Sequence, residues 1–194
     1  MSTPSVKTAT AQDEERAIAA LVLAFAADPS TRWAWPDPAQ YLTYFPRFVR
    51  AFGGRAFEHG TAYRTEDGAG VALWLPPGVS PDEEAVGAVF AESVPGPEQA
   101  AVFAVLDQMA HYHPDEPHWY LPLIGVDPVR QGQGYGSALL QHALRRCDVE
   151  HLPAYLESSN PANVPLYQRH GFEVVGKIQA GTSPTFYPMV RKSR

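Results

Sequence analysis

The chain is short of several things, and each shortage narrows what it can be. It has one cysteine, Cys147, among 194 residues, so no intrachain disulfide can form. Its longest unbroken apolar run, residues 17–27, is far below the roughly 20 residues that cross a bilayer. The opening MSTPSVKTATAQDEER holds no basic stretch followed by an apolar core, so a soluble cytoplasmic protein without a membrane partner is expected. Basic residues are in the minority, 15 Lys and Arg against 21 Asp and Glu, which argues against nucleic acid as a partner. Repeats and low-complexity tracts are lacking too. Cys147 falls on the apolar side of a predicted helix with nothing nearby to activate it, and reads as a buried structural thiol.

What is present suits a packed core in one domain, with 45% hydrophobic residues. Charge is uneven: residues 1–125 carry 7 Lys and Arg against 16 Asp and Glu, whereas residues 126–194 carry 8 against 5. The first part therefore suits a cation and the second an anion. VKTAT reads as a short strand, and AQDEERAIAALVLAFAAD as a helix behind an acidic first turn. DPAQYLTYFPRFVRAF spaces Tyr41, Tyr44, Phe45, Phe48 and Phe52 as one aromatic helix face, with Pro46 as a kink point. Residues 56–78 read as a hairpin around Glu66-Asp67-Gly68, and residues 79–117 as a Pro/Gly-punctuated, partly helical stretch. The last third alternates: strand HWYLPLIGV, turn, helix GYGSALLQHALRRC, strand AYLES, loop, helix VPLYQRHG and two further strands. Strand, helix, parallel strand is a crossover unit, so the class is α/β or α+β with a mixed sheet.

At the centre of that unit stands GVDPVRQGQGYGSALLQHAL, with Gly132, Gly134 and Gly136 at alternate positions before a helix. A helix start behind glycines offers free backbone N–H groups and a positive dipole end, and the missing Cβ atoms let a phosphate approach. A P-loop needs Gly-Lys-Ser/Thr after a longer gap, and no such lysine follows. The dinucleotide pattern G-x-G-x-x-G is nearer, with Glu157 at the next strand end for a ribose, but Ser137 stands where its third glycine belongs. A nicotinamide-dependent oxidoreductase is thus one alternative reading.

Gln131-Gly132-Gln133-Gly134-Tyr135-Gly136 resembles the acetyl-CoA signature Arg/Gln-x-x-Gly-x-Gly/Ala of the GCN5-related N-acetyltransferase (GNAT) family. Downstream, NPANVPLYQRHGF is similar to that family's Asn…Leu-Tyr-x-x-x-Gly-Phe segment, and LESSNPANVPLYQRHGF is most similar to its puromycin N-acetyltransferase type. The resemblance implies a mixed, mostly antiparallel sheet flanked by helices, with a splayed central strand pair. It also implies acetyl-CoA as cosubstrate without a metal, an acceptor-side half over residues 1–117 and an acetyl-CoA half over residues 118–194. Backbone groups of Ile124 and Val126 would follow the pantetheine, with Gly125 between them at a bulge or a close ligand approach. Backbone N–H groups of Gln131, Gly132, Gln133, Gly134, Tyr135, Gly136 and Ser137 would hold the pyrophosphate, and Arg130 either adds charge there or is a solvated surface residue. Tyr167 would be the general acid at the CoA sulfur.

Direct transfer in a ternary complex also needs a base for the amine. Glu157 at its strand end is the first candidate and His118 the second. Asn160 and Asn163 either touch the cofactor or cap the following helix. The cluster HYHPDEPH, with His111, His113, Asp115, Glu116 and His118, holds enough ligands for zinc but lacks a regular scaffold. On the acceptor side Trp33 and Trp35, read as lying in a loop, join the aromatic helix face and Trp74 to suggest a small acceptor with an apolar or aromatic body and a cationic amine. A monomer or homodimer is expected. A non-catalytic acyl-CoA-binding module is the other alternative.

Overall fold

The computed structural model describes residues 4–193. In chain order the strands and helices are β1 (Val6–Thr8), α1 (Glu14–Phe25), α2 (Pro29–Ala34), α3 (Pro38–Gly53), α4 (Arg55–Glu58), β2 (Ala62–Thr65), β3 (Gly70–Leu75), α5 (Glu83–Ser93), α6 (Gly96–Tyr112), β4 (Trp119–Val126), α7 (Tyr135–Val149), β5 (Ala154–Ser158), α8 (Val164–Arg169), β6 (Glu173–Val174) and β7 (Tyr187–Arg191). The strands form one sheet in the order β1-β2-β3-β4-β5-β7-β6. Every pairing is antiparallel except β4 with β5, which is parallel. The mixed, mostly antiparallel sheet expected from the resemblance is present.

The sheet separates two cores. One gathers the N-terminal helices around Leu21, Phe45, Val49 and Phe90 against Val71, Leu73 and Leu123. The other packs Leu139, Leu140, Leu144 and Phe172 against Trp74, Leu121 and Leu156. Alternation along β4, shifted by one residue at the irregularity between Tyr120 and Leu123, makes both possible: Tyr120 and Leu123 enter the first core, Trp119 and Leu121 the second. Cys147 lies in the second core, fully buried, and burial pushes its thiol up to about 12. Among the described residues no helix is long and apolar enough to cross a membrane.

Local structure refines several of these readings. The bulge on β4 lies between its pairings at Tyr120 and Leu123, where Pro122 interrupts the ladder. Gly125 instead pairs regularly with Val71, and a Cβ there would come within 2.7 Å of the Ala24 side chain and 2.9 Å of Leu21. This glycine lets α1 lie close on the sheet. Trp33 is on the short helix α2, not in a loop, because Asp28 caps it through the Ser30 N–H and Pro29 fits its first position. Pro46 sits inside α3 without ending it. The strand read over FEVVGKI shrinks to Glu173–Val174, with one isolated bridge from Ile178 to Phe186.

Candidate active site

The parallel pair β4–β5 is joined only at Trp119 with Ala154 and at Tyr120 with Tyr155. Both strands then continue, β4 to Val126 and β5 to Ser158, without further pairing between them. A wedge opens in the middle of the sheet. The direction of the β4 backbone groups inside it follows from the ladder with β3. Asp127 N–H donates to the Ala69 carbonyl at 2.7 Å, one position beyond the Gly70–Val126 pair. Antiparallel neighbours exchange hydrogen bonds at alternate residues, so Leu123 and Gly125 are spent on β3 while Ile124 and Val126 turn theirs into the wedge. The Val126 carbonyl accepts from the Gln131 side chain at 3.2 Å, consistent with that direction. Pro122 has no N–H, which makes Ile124 the first donor on the open side beyond the bulge.

The glycine stretch lies at the mouth of this wedge. Gly132 and Gly134 have φ of +73° and +88°, and a Cβ at either would project into open space. Gly136 differs: a Cβ there would come within 3.2 Å of Leu166, so it permits the close approach of α8. Gly134 is the N-cap of the 15-residue α7, and no side chain caps the first turn. The neighbouring side chains are committed elsewhere. Gln133 donates to the Val129 carbonyl, the Tyr135 hydroxyl to Asp67 at 2.7 Å, and Ser137 Oγ meets His170 Nε2 at 2.7 Å. With these side chains engaged, the backbone N–H groups of an uncapped first turn are available to an anion. Arg130 is exposed just before them. Replacing Gly134 with alanine forces a left-handed L-residue and is expected to cost about 1–2 kcal/mol, read as a fall in Tm with weaker acetyl-CoA protection.

Between the wedge and the N-terminal helices lies a cavity of about 120 Å³. Its walls are mostly apolar and rich in aromatic rings: Phe25, Trp33, Trp35, Phe45, Phe48, Phe52, Phe90 and Phe186 line it, together with Leu121, Pro122 and Ile124 of β4. Trp35 is fixed there by stacking on Phe90 at 5.3 Å and by donating from Nε1 to Ser93 Oγ at 2.8 Å. Tyr41, Tyr44 and Trp74 are not among the cavity residues. Tyr41 is buried with its hydroxyl on the Val22 carbonyl, and Trp74 is fully buried on the opposite face of the sheet.

The polar contribution comes from Ser30 and Thr31 of α2 and from β5 and the segment after it: Glu157, Ser159, Asn163 and Tyr167. Glu157 is the one charged residue of the lining, and its side chain is only 3% exposed. Oε2 accepts from the Tyr120 hydroxyl at 2.9 Å, while Oε1 is buried with no hydrogen bond. Burial pushes this carboxyl up to about 7, against the hydroxyls of Tyr120 and Tyr155, which lower it. Tyr167 on α8 is buried, and burial followed by the charge of Asp28 raises its phenol above the usual value. Asp28 is tied to this side by accepting from Ser159 Oγ at 2.8 Å.

The two asparagines part company. Asn160 Oδ1 accepts from Ala162 N–H at 3.0 Å and is a cap, whereas Asn163 makes no side-chain cap and lines the cavity. His118 does not line the cavity. It stands behind Glu157, separated from it by His113, a residue the sequence offered only within HYHPDEPH. His113 Nδ1 and His118 Nε2 are 3.0 Å apart, and His113 Nε2 is 3.6 Å from Glu157 Oε1. Among the described residues no group of three or more His, Cys, Asp or Glu could hold a metal ion.

Residues 22–172 match the model of the acetyltransferase (GNAT) family. An uncharacterized N-acetyltransferase of Schizosaccharomyces pombe is 27% identical over 188 residues, covering 87% of this chain and 74% of that protein. A structure described as histone acetyltransferase HPA2 and related acetyltransferase, from Corynebacterium glutamicum, is 27% identical and superposes with a TM-score of 0.69 over 100% of this chain and 98% of that one. Arylalkylamine N-acetyltransferase 2 from Aedes aegypti shares the fold alone, at 13% identity and a TM-score of 0.68 over the full length of both chains.

Proposed function

Because the chain belongs to the acetyltransferase (GNAT) family, we propose that it acetylates the amine of a small, apolar monoamine by direct transfer from acetyl-CoA, with Glu157 as base and Tyr167 as acid. Residues 1–117 supply the acceptor side and residues 118–194 the acetyl-CoA side. Acetyl-CoA supplies the thioester on which the amine acts. Along it, the N–H and C=O groups of Ile124 and the N–H of Val126 are placed for the pantetheine amides, the Val126 carbonyl already accepting from the Gln131 side chain, and the uncapped first turn of α7 for the pyrophosphate.

The observation that carries the acceptor class is the cavity wall. Glu157 is its single charged group, and it faces rings rather than a second acid. A monoamine can put its nitrogen at Glu157 and its body among the aromatics. A second cation on the same acceptor would be desolvated without a partner, at a cost of several kcal/mol. The volume supports something small, since an apolar cavity of about 150 Å³ takes a benzene ring. Residues 156–172 support placing the chain near the puromycin N-acetyltransferase type within the family.

Glu157 Oε1 takes one proton from the ammonium, an N–H bond breaking and an O–H bond forming, and after attack the second N–H proton of the tetrahedral adduct restores the phenol of Tyr167. Tyr167 donates its phenolic proton to the departing sulfur, whose thiolate of pKa about 8.5 is already a moderate leaving group. Tyr167→Phe is therefore expected to lower kcat by roughly 100-fold, the low end of acid–base effects. The experiment is release of free CoA from acetyl-CoA with apolar monoamines, diamines and acidic amines. Apolar monoamines turned over, and lost in Tyr167→Phe, support the reading; preference for diamines overturns the acceptor class. Stabilisation by acetyl-CoA without CoA release from any amine makes the chain a binding module instead, and stabilisation by NAD(H) alone removes acetyl-CoA.

A further inference from the structure

Turnover of an ammonium group and a thioester to an amide and a thiol leaves one proton over. If Glu157 takes it, as the proposed function requires, the proton sits on a carboxyl buried in an aromatic cavity, and the base must be cleared before the next cycle. We propose that His113 and His118 form a relay that carries this proton from Glu157 to the open groove between α5 and α6.

The direction of the relay is set by one backbone carbonyl. His118 Nδ1 lies 2.8 Å from the Glu116 carbonyl, which can only accept, so Nδ1 bears hydrogen and Nε2 of the neutral ring is a bare acceptor. His113 Nδ1, 3.0 Å away, must then donate to it. His113 Nε2 is left as an acceptor directed at Glu157 Oε1, 3.6 Å distant. Oε1 is the oxygen that otherwise has no hydrogen bond. When Glu157 is charged, two lone pairs face each other across this gap; when it holds a proton, the gap has a donor and an acceptor. The contact is matched to the loaded base.

The middle ring is held in place. His113 packs edge-on against Tyr120 at 4.6 Å and at a tilt against Tyr155 at 4.4 Å between ring centres. It follows the C-terminus of α6, where Pro114 stops the helix from continuing. The titratable groups facing it are His118 from the β4 side, Tyr120 of β4, and Tyr155 and Glu157 of β5. Burial, and then the charge of His118, push the His113 imidazolium down to about 4. His113 is thus neutral at rest and passes a proton rather than storing one. At the outer end both histidines line a groove of about 750 Å³ together with Phe103, Asp115 and Glu116.

The transfers balance. The Glu157 O–H bond breaks as His113 Nε2–H forms, and His113 Nδ1–H breaks as His118 Nε2–H forms. His118, now holding two protons, gives one to water in the groove. Glu157 is again a carboxylate, and the rings return to their first tautomers.

The test is steady-state acetylation with an apolar monoamine at low buffer concentration, with and without added imidazole, for wild type, His113→Gln, His118→Gln and Glu157→Gln. Both histidine variants are expected to lose roughly 10- to 100-fold in kcat with little change in either KM, and to regain part of it as imidazole rises. A merely structural role would lower kcat equally at every imidazole concentration, and that result overturns the relay. Wild-type kcat in both variants, with Glu157→Gln inactive, also overturns it while leaving the base in place. An active Glu157→Gln places the failure one step earlier, at the base. Should His113→Gln melt early, His118→Gln decides, because its ring lies at the groove and is only partly buried.

Discussion

Glu157→Gln is expected to lower kcat by about 10²–10⁴-fold and at the same time to stabilise the protein above neutral pH. The activity loss follows from removing the one carboxylate of the cavity while keeping its shape, since glutamine still accepts from the Tyr120 hydroxyl. The stability gain follows from the same burial that makes the base. Folding carries this carboxyl from its usual 4.5 up to about 7, so between those values the folded state binds more protons than the unfolded one. Stability therefore falls as pH rises through this window and is lowest above it. At about 1.4 kcal/mol per tenfold change in proton affinity, the full difference is about 3 kcal/mol. Urea titrations of both proteins at about pH 4 and pH 8 check it: the variant should lack the wild-type decline. The wild-type rate, which needs the charged base, should rise with pH and level off above about 7. A rate limb unchanged in Glu157→Gln would sink the assignment.

How much of this was legible beforehand depended on how local the cause was. Gly132 and Gly134 announce themselves because positive φ is a property of a few consecutive residues. Glu157 was legible because a strand end after a crossover faces the place where neighbouring strands part. Gly125 misled, since a glycine in a strand has several causes and this one is the approach of α1; the true interruption was advertised by Pro122. Trp35 and Trp74 carry the same residue type to opposite cores, a division that depends on which face of the sheet each reaches. His113 was the least legible. Its role depends on the C-terminus of α6 meeting two tyrosines from neighbouring strands, and nothing in HYHPDEPH separates it from His111, whose side chain is exposed.

A second large effect is expected far from the cavity wall, at the pair that secures the C-terminal half, where acetyl-CoA is proposed to bind. Arg191 on β7 donates from both terminal nitrogens to Asp148 on α7, at 2.8 and 2.9 Å, and from Nε to the His170 carbonyl at the end of α8, at 3.0 Å. One guanidinium thus joins the last strand to both helices that border the wedge. Its two ends differ in burial: the Arg191 side chain is 4% exposed and Asp148 is 32% exposed. Asp148→Ala leaves a guanidinium buried without its carboxylate, which is expected to cost about 3–5 kcal/mol. Arg191→Met leaves a carboxylate that is partly exposed rather than buried and puts an apolar chain of similar length in place of the guanidinium, so it should cost less than half as much. In a chain of this size Asp148→Ala should lower Tm by roughly 10 °C. The order of the two variants in urea unfolding is the decisive reading, because equal losses would mean that attraction between the charges, rather than burial of the cation, sets the cost. The wedge should register the same order. α7 carries the uncapped turn and α8 carries Tyr167, so Asp148→Ala is expected to weaken acetyl-CoA protection more than Arg191→Met does.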